Sequence, residues 1–271
     1  MGEKESPEKE IQALRRDVAD LRGQIAELVG VMRREPAPSA GSGRLRTFVS
    51  GFDEAMEGGV PRGHVVLVAG PSGALKTTMC LQMVARHRQA GTPGLYLSLE
   101  EPKESLQRTL QRLGLGGESD FIVDVGRMRL EQPAAHDTRD WFAILRDYLT
   151  RRMAKDPVAL VVIDPLNSLY SLSAPANPRR ELFEFFAFLR GLNVTSFLVC
   201  ESPGNEATFD HQEDFLADGT ITLGFSMENG AVDLLLRCAK MRHTAHSRDP
   251  FTLAVSGGKF SARHAGAPEP T

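Results

Sequence analysis

Cysteine is scarce: three residues in 271 (Cys80, Cys200 and Cys238), far apart, odd in number and without a CxxC pair. That excludes a disulfide framework and points to a reducing compartment. Cys200 and Cys238 lie in apolar runs, so buried free thiols are expected. His64, His87, His136 and His211 lack metal-ligand spacing. Net charge is also slight, at −3 with a pI near 6.2, so no overall basic field marks a dedicated nucleic-acid binder. No apolar run approaches bilayer length, and the N-terminus is too charged for a secretion signal. The expected location is cytoplasmic, without direct membrane insertion. What remains is an ordinary globular composition, 41% hydrophobic and 25% charged.

Three zones follow. In residues 1–34, Ile11, Leu14, Val18, Leu21, Ile25, Leu28 and Met32 alternate spacings of three and four. This is a coiled-coil seam, with Leu at every d position and mainly β-branched residues at a, a choice that favours parallel pairs. Glu10 and Asp17 at g face Arg15 and Arg22 at e. The helix is expected to pair with itself or with a protein partner, against the plainer reading of an amphipathic helix lying on its own domain. Residues 35–43 read as a flexible Pro/Ala and Gly/Ser linker.

Residues 44–261 alternate apolar strand-like runs with helical ones, and 262–271 read as a disordered tail. Strands are expected at 64–69, 94–99, 121–125, 159–164, 194–200, 220–223, 232–240 and 251–256. Helices are expected near 76–89, 104–113, 138–153 and 179–191. The pattern predicts an α/β fold, a mostly parallel twisted sheet covered on both faces, with antiparallel edge strands at the C-terminal end.

The strand ending at Ala69 runs into Gly70, Pro71, Ser72, Gly73, Ala74, Leu75, Lys76, Thr77 and Thr78, then a helix. Strand, glycine-rich turn and helix start make a P-loop, whose backbone N–H groups can surround phosphate. Lys76 would reach the β- and γ-phosphates, and Thr77 would ligate Mg²⁺. Leu75 departs from the strict pattern, which has Gly there. A second signal is Leu160-Val-Val-Ile-Asp164, four apolar residues ending in a carboxylate that could hold Mg²⁺. A third is Glu100 with Glu101 at another strand's carboxyl end, where either could orient or deprotonate an attacking water.

With these motifs the chain resembles the KaiC-like branch of the RecA/RadA superfamily over about residues 44–256. The likeness rests also on Arg46–Asp53, on Gly58–Gly63, on the Glu100-Glu101 pair and on Lys240-Met-Arg-His-Thr-Ala-His246. It implies a RecA-like core, ATP and Mg²⁺ as cofactors, and a homo-oligomeric ring, usually hexameric, with ATP at subunit interfaces. Lys240 and Arg242 would then contact the neighbouring subunit's γ-phosphate, with His246 nearby. Two departures matter. The family's clock protein carries two such domains and this chain one. The stretch corresponding to the clock protein's phosphorylated hydroxyls reads Glu213-Asp214-Phe215, so no autokinase cycle is expected.

The expected function is slow ATP hydrolysis coupled to a regulatory or assembly switch. One alternative is a non-hydrolysing nucleotide sensor, motivated by Leu75 and by Pro165 after Asp164. Another is a DNA recombination accessory factor. Against the latter, residues 191–236 contain no Lys or Arg, while Glu201, Glu206, Asp210, Glu213, Asp214 and Asp218 are acidic. The phenylalanines at 183, 185, 186 and 188 read as core or interface packing. His243 and His246, three apart on an expected strand, make a poor metal pair.

Overall fold

A computed structural model describes residues 43–130, 140–204, 207–228 and 231–265. The coiled-coil heptads lie outside them. The N-terminal part runs β1 (Arg44–Leu45), β2 (Val49–Ser50), α1 (Phe52–Ala55) and β3 (Val60–Pro61). The phosphate-loop unit follows as β4 (Val65–Gly70) and α2 (Lys76–Gln89), then β5 (Gly94–Ser98), α3 (Lys103–Arg112), β6 (Ile122–Asp124) and α4 (Val125–Leu130). Next come α5 (Trp141–Lys155), β7 (Leu160–Asp164), α6 (Leu166–Ser173), α7 (Pro178–Gly191) and β8 (Thr195–Glu201). The chain closes with α8 (Glu213–Leu216), β9 (Gly219–Glu228), β10 (Ala231–Met241), β11 (Phe251–Ser256) and β12 (Lys259–His264).

A ten-stranded sheet has the order β2-β12-β11-β10-β9-β4-β8-β7-β5-β6. From β9 to β6 all neighbours are parallel, while β10, β11 and β12 add antiparallel pairs. The period of two along β4 explains why its apolar run is continuous. Val66 and Val68 enter one core with Met79 and Val84 of α2, whereas Val65, Leu67 and Ala69 enter the other with Phe185 and Leu189 of α7. A strand covered on both faces has no polar side to show.

The expected strands and helices are present with shifted ends, and β9 extends to residue 228. The strand β12 was not expected. It carries His264, beyond the predicted domain end at 261, because Phe251 pairs with His264 and their tilted rings lie with centroids 4.3 Å apart. Its sequence is largely polar, with Phe260 as its buried apolar anchor, which hides it from a hydrophobic pattern. Of the phenylalanines on α7, Phe185 and Phe186 are buried and Phe183 is exposed.

The entry segment is knotted by Asp53. Its carboxylate accepts from the Thr47 amide and hydroxyl, both at 2.7 Å, and from the Phe48 amide at 3.0 Å. In turn Gln82 and His87 of α2 bond the Thr47 and Arg46 carbonyls. Those bonds fix the helix that begins at the phosphate loop.

Candidate nucleotide site

Gly70 is required by the sheet. A Cβ there would meet the Leu223 carbonyl oxygen of β9 at 2.2 Å. Gly73 has φ +81°, a left-handed backbone that turns the loop toward α2. Leu75 also sits at φ +64°, ψ +21°, as N-cap of α2. Its side chain is half-buried and packs against the core beside α2.

Ser72, Gly73, Leu75, Lys76, Thr77, Thr78, Asp164, Val199 and Glu201 line one cavity at the carboxyl ends of β4, β8 and β7. Lys76 is buried and donates from Nζ to the Pro71 carbonyl at 2.8 Å. Burial holds its pKa below the ordinary lysine value, opposed first by the Glu201 charge and then by Asp164. Thr77 Oγ1 donates to Asp164 Oδ2 at 2.7 Å, and the buried Tyr96 hydroxyl donates to the same oxygen. Burial raises the Asp164 pKa, opposed by these two hydrogen bonds and by Lys76. The hydroxyl–carboxylate pair of Thr77 and Asp164 is a set of hard oxygen donors suited to Mg²⁺.

The other expected residues lie elsewhere. Glu100 and Glu101 follow β5, whose register places Ser98 beside Asp164, so they stand one strand beyond the cavity wall. Glu100 accepts a hydrogen bond from the buried Ser168 hydroxyl on α6. Lys240, Arg242 and His246 are at the opposite end of the sheet from the loop. There Met241 pairs with Gly219, and Gly219 with Val66 at the start of β4. The length of β4, roughly 16 Å at ~3.3 Å per residue, separates them from their own loop.

Within the chain Lys240 Nζ bonds the carbonyls of Asp214 and Ala217, each at 2.7 Å. Arg242 pairs with Asp218 at 2.8 Å. β10 ends at Met241, and His243, at φ +57°, is in the turn beyond it. The two histidines therefore do not share a strand, which corrects the expected alternation.

Three residues of the site were not singled out from sequence. Tyr96 is concealed inside an apolar strand. Glu201 carries the same signal as Asp164, a carboxylate closing an apolar strand. Asn167 clasps the Glu201 backbone, accepting from its N–H at 2.7 Å and donating to its carbonyl at 3.3 Å, and local sequence gives no sign of it.

A parallel sheet that joins a glycine-rich loop, a buried lysine, a following hydroxyl and a facing carboxylate is a P-loop core of the RecA type. Within that class the chain belongs to the KaiC ATPase family, whose model, described as "ATPase: KaiC", matches residues 45–259. A UPF0273 protein of Thermotoga maritima is 30% identical over 228 residues, covering 79% of this chain and 94% of its own. The circadian clock oscillator protein KaiC 1 of Synechocystis is 28% identical over 244 residues. That match takes in 85% of this chain, which spans only 46% of the clock protein. The solved structure of a KaiC-like protein from Pyrococcus horikoshii superposes with TM-score 0.71 at 25% identity, covering 82% of this chain and all of that one.

Proposed function

We propose that the chain binds ATP on the Gly70–Thr78 loop, hydrolyses it slowly, and assembles into a ring, hexameric as in its family, with each nucleotide between two copies. The observation that carries this reading is the convergence of Lys76, Thr77 and Asp164 in one cavity. Lys76 would exchange the Pro71 carbonyl for phosphate oxygens, and backbone N–H groups at the start of α2 would meet the remaining oxygens. Thr77 and Asp164 would hold Mg²⁺, whose charge offsets that of the phosphates.

For hydrolysis, Glu100 would accept the proton of a water whose oxygen attacks the terminal phosphorus, while the bond to the bridging oxygen breaks and ADP leaves. Glu101 stands beside it as a second carboxylate. One lysine against two carboxylates, Asp164 and Glu201, leaves the cavity short of positive charge for a polyphosphate. Lys240 and Arg242, too far from their own loop, would supply it to a neighbouring copy, with His246 alongside. The N-terminal helix would pair two assemblies or dock a protein partner, which makes the ring a regulatory or assembly switch.

The test combines phosphate release, nucleotide binding and mass in solution with ATP and Mg²⁺. Wild type should turn over, and Lys76→Ala should lose binding. Arg242→Ala should bind but lose turnover and assembly. An ATP-independent monomer with full turnover in Arg242→Ala would sink the shared site. A second reading, a non-hydrolysing sensor, draws on the position of Glu100 off the cavity wall. It requires tight ATP binding with no phosphate release.

A further inference from the structure

We propose that Ser168 is a positioning residue for the water-activating carboxylate, holding Glu100 in the orientation that faces the attacking water. The inference rests on the ATPase reading above and assigns it a residue that no motif contains. Ser168 lies in the first turn of α6, which begins two residues after Asp164. Its hydroxyl is buried and donates to Glu100 Oε1, while the Glu100 side chain is otherwise exposed.

The turn that carries Ser168 is fastened on both sides. On the β8 side, Asn167 holds the Glu201 backbone through two hydrogen bonds. On the β5 side, the Leu99 amide donates to the Asp164 carbonyl at 2.8 Å, which extends the ladder to the residue before Glu100. Leu166, between Pro165 and Asn167, is fully buried. Ser168 therefore approaches Glu100 from a rigid turn, and Glu100 leaves β5 from a fixed strand end.

An exposed glutamate on its own samples several rotamers. With Oε1 bound to the Ser168 hydroxyl, Oε2 is the oxygen left to take the proton of the water. A fixed donor costs no reorganisation at the moment of attack, and misplacing a catalytic group by about 1 Å can cost on the order of 100-fold in rate. The first turn of α6 thus ties the Mg²⁺-side carboxylate, the β8 terminus and the water-activating carboxylate into one unit.

The experiment measures phosphate release and ATP affinity for wild type, Lys76→Ala, Glu100→Gln, Ser168→Ala, Ser168→Thr and the Ser168→Ala/Glu100→Gln double variant, with thermal unfolding of each. Ser168→Ala should lower kcat by about 10- to 100-fold with ATP Kd within twofold of wild type. Ser168→Thr, which keeps the hydroxyl, should recover most of the rate. In the Glu100→Gln background Ser168→Ala should cost nothing more, since the two act as one unit. An unchanged kcat, a parallel loss of affinity, or an equal extra loss in the double variant overturns the proposal. If Ser168→Ala melts early, the Ser168→Thr and double-variant comparisons decide. Should wild type release no phosphate, the hydrolysis reading falls and the role of Ser168 with it. Should wild type turn over and Lys76→Ala not, a wild-type rate in Ser168→Ala removes this inference alone.

Discussion

Leu75 holds its backbone at φ +64°, where an L-residue with a Cβ is disfavoured by about 1–2 kcal/mol. The half-buried side chain packed on the core beside α2 offsets part of that. Replacing it with Ala or Gly removes the packing in both cases, but only Gly relaxes the backbone. Leu75→Gly should therefore be the more stable of the two by about 1 kcal/mol, the reverse of their order in a helix. Urea unfolding checks this, and an Ala variant as stable as the Gly variant refutes it. Asp164 is strained differently, as a buried carboxylate in a cavity. Its folded pKa is raised above the unfolded value, so the folded state binds more protons and gains stability as pH falls through that range. Asp164→Asn should raise the stability of the nucleotide-free domain by on the order of 1 kcal/mol near neutral pH and abolish Mg²⁺-dependent ATP binding. The stability gap between variant and wild type should narrow on acidification. A gap that stays constant with pH would count against a charged, buried Asp164.

The end of β10 shows how an element's position changes the meaning of its charges. Lys240 caps the carbonyls around α8, and Arg242 shares Asp218 with Arg190, whose Nε lies 2.9 Å from the carboxylate. Asp218 also accepts from the Val65 amide at 3.0 Å, which secures the start of β4. Burial pushes the Asp218 pKa up, but the Arg190 bond, the Val65 amide and Arg242 outweigh it and hold it below the ordinary value. The sign is opposite to that of Asp164: its contribution is present above the unfolded pKa and is lost as pH falls through the folded one. Asp218→Ala should cost about 3 kcal/mol at neutral pH, since it leaves the Arg190 charge without its carboxylate and the Val65 amide without its side-chain acceptor. Urea unfolding across a pH series should show that cost shrinking in acid, and a cost independent of pH would refute it. Arg242 is nearly half exposed, so in the proposed ring it would turn to a neighbour's phosphate while Arg190 and Val65 keep Asp218 in place.

Taken whole, the chain keeps its loop and its candidate trans cations at opposite ends of one sheet, an arrangement suited to a closed ring of identical contacts. Native mass measurement should find a larger species with ATP and Mg²⁺ than without. Arg242→Ala should reduce that difference, and identical masses throughout would defeat the ring. Deleting residues 1–43 should leave ATP affinity within twofold and remove any pairing of assemblies. Loss of nucleotide binding in the truncated chain would show that the heptad segment belongs to the ATPase unit. The acidic stretch between residues 191 and 236 is less of a surface than its sequence implies. Glu213 is buried, accepting from the Tyr170 hydroxyl at 2.9 Å, Asp218 is paired, and Glu201 faces the cavity. The stretch still contains no cation, so labelled single-stranded DNA should show no salt-sensitive binding with ATP present.

Local pattern determined the two-faced strands, the helix after the loop, and the candidates Lys76, Thr77 and Asp164. Each is written in consecutive residues whose apolar period and turn chemistry act within one element. Tertiary structure decided which of them meet. Thr77 and Asp164 are 87 positions apart, and Glu100 and Ser168 are 68 apart. They converge because the sheet orders its strands as β4-β8-β7-β5, out of chain sequence. The same ordering sends Lys240 and Arg242 to the far end of the sheet and buries Glu213. It also gives the polar strand β12 a partner that its own sequence does not announce. Hydrogen bonds of that reach depend on which strand ends become neighbours, and no stretch of consecutive residues specifies that.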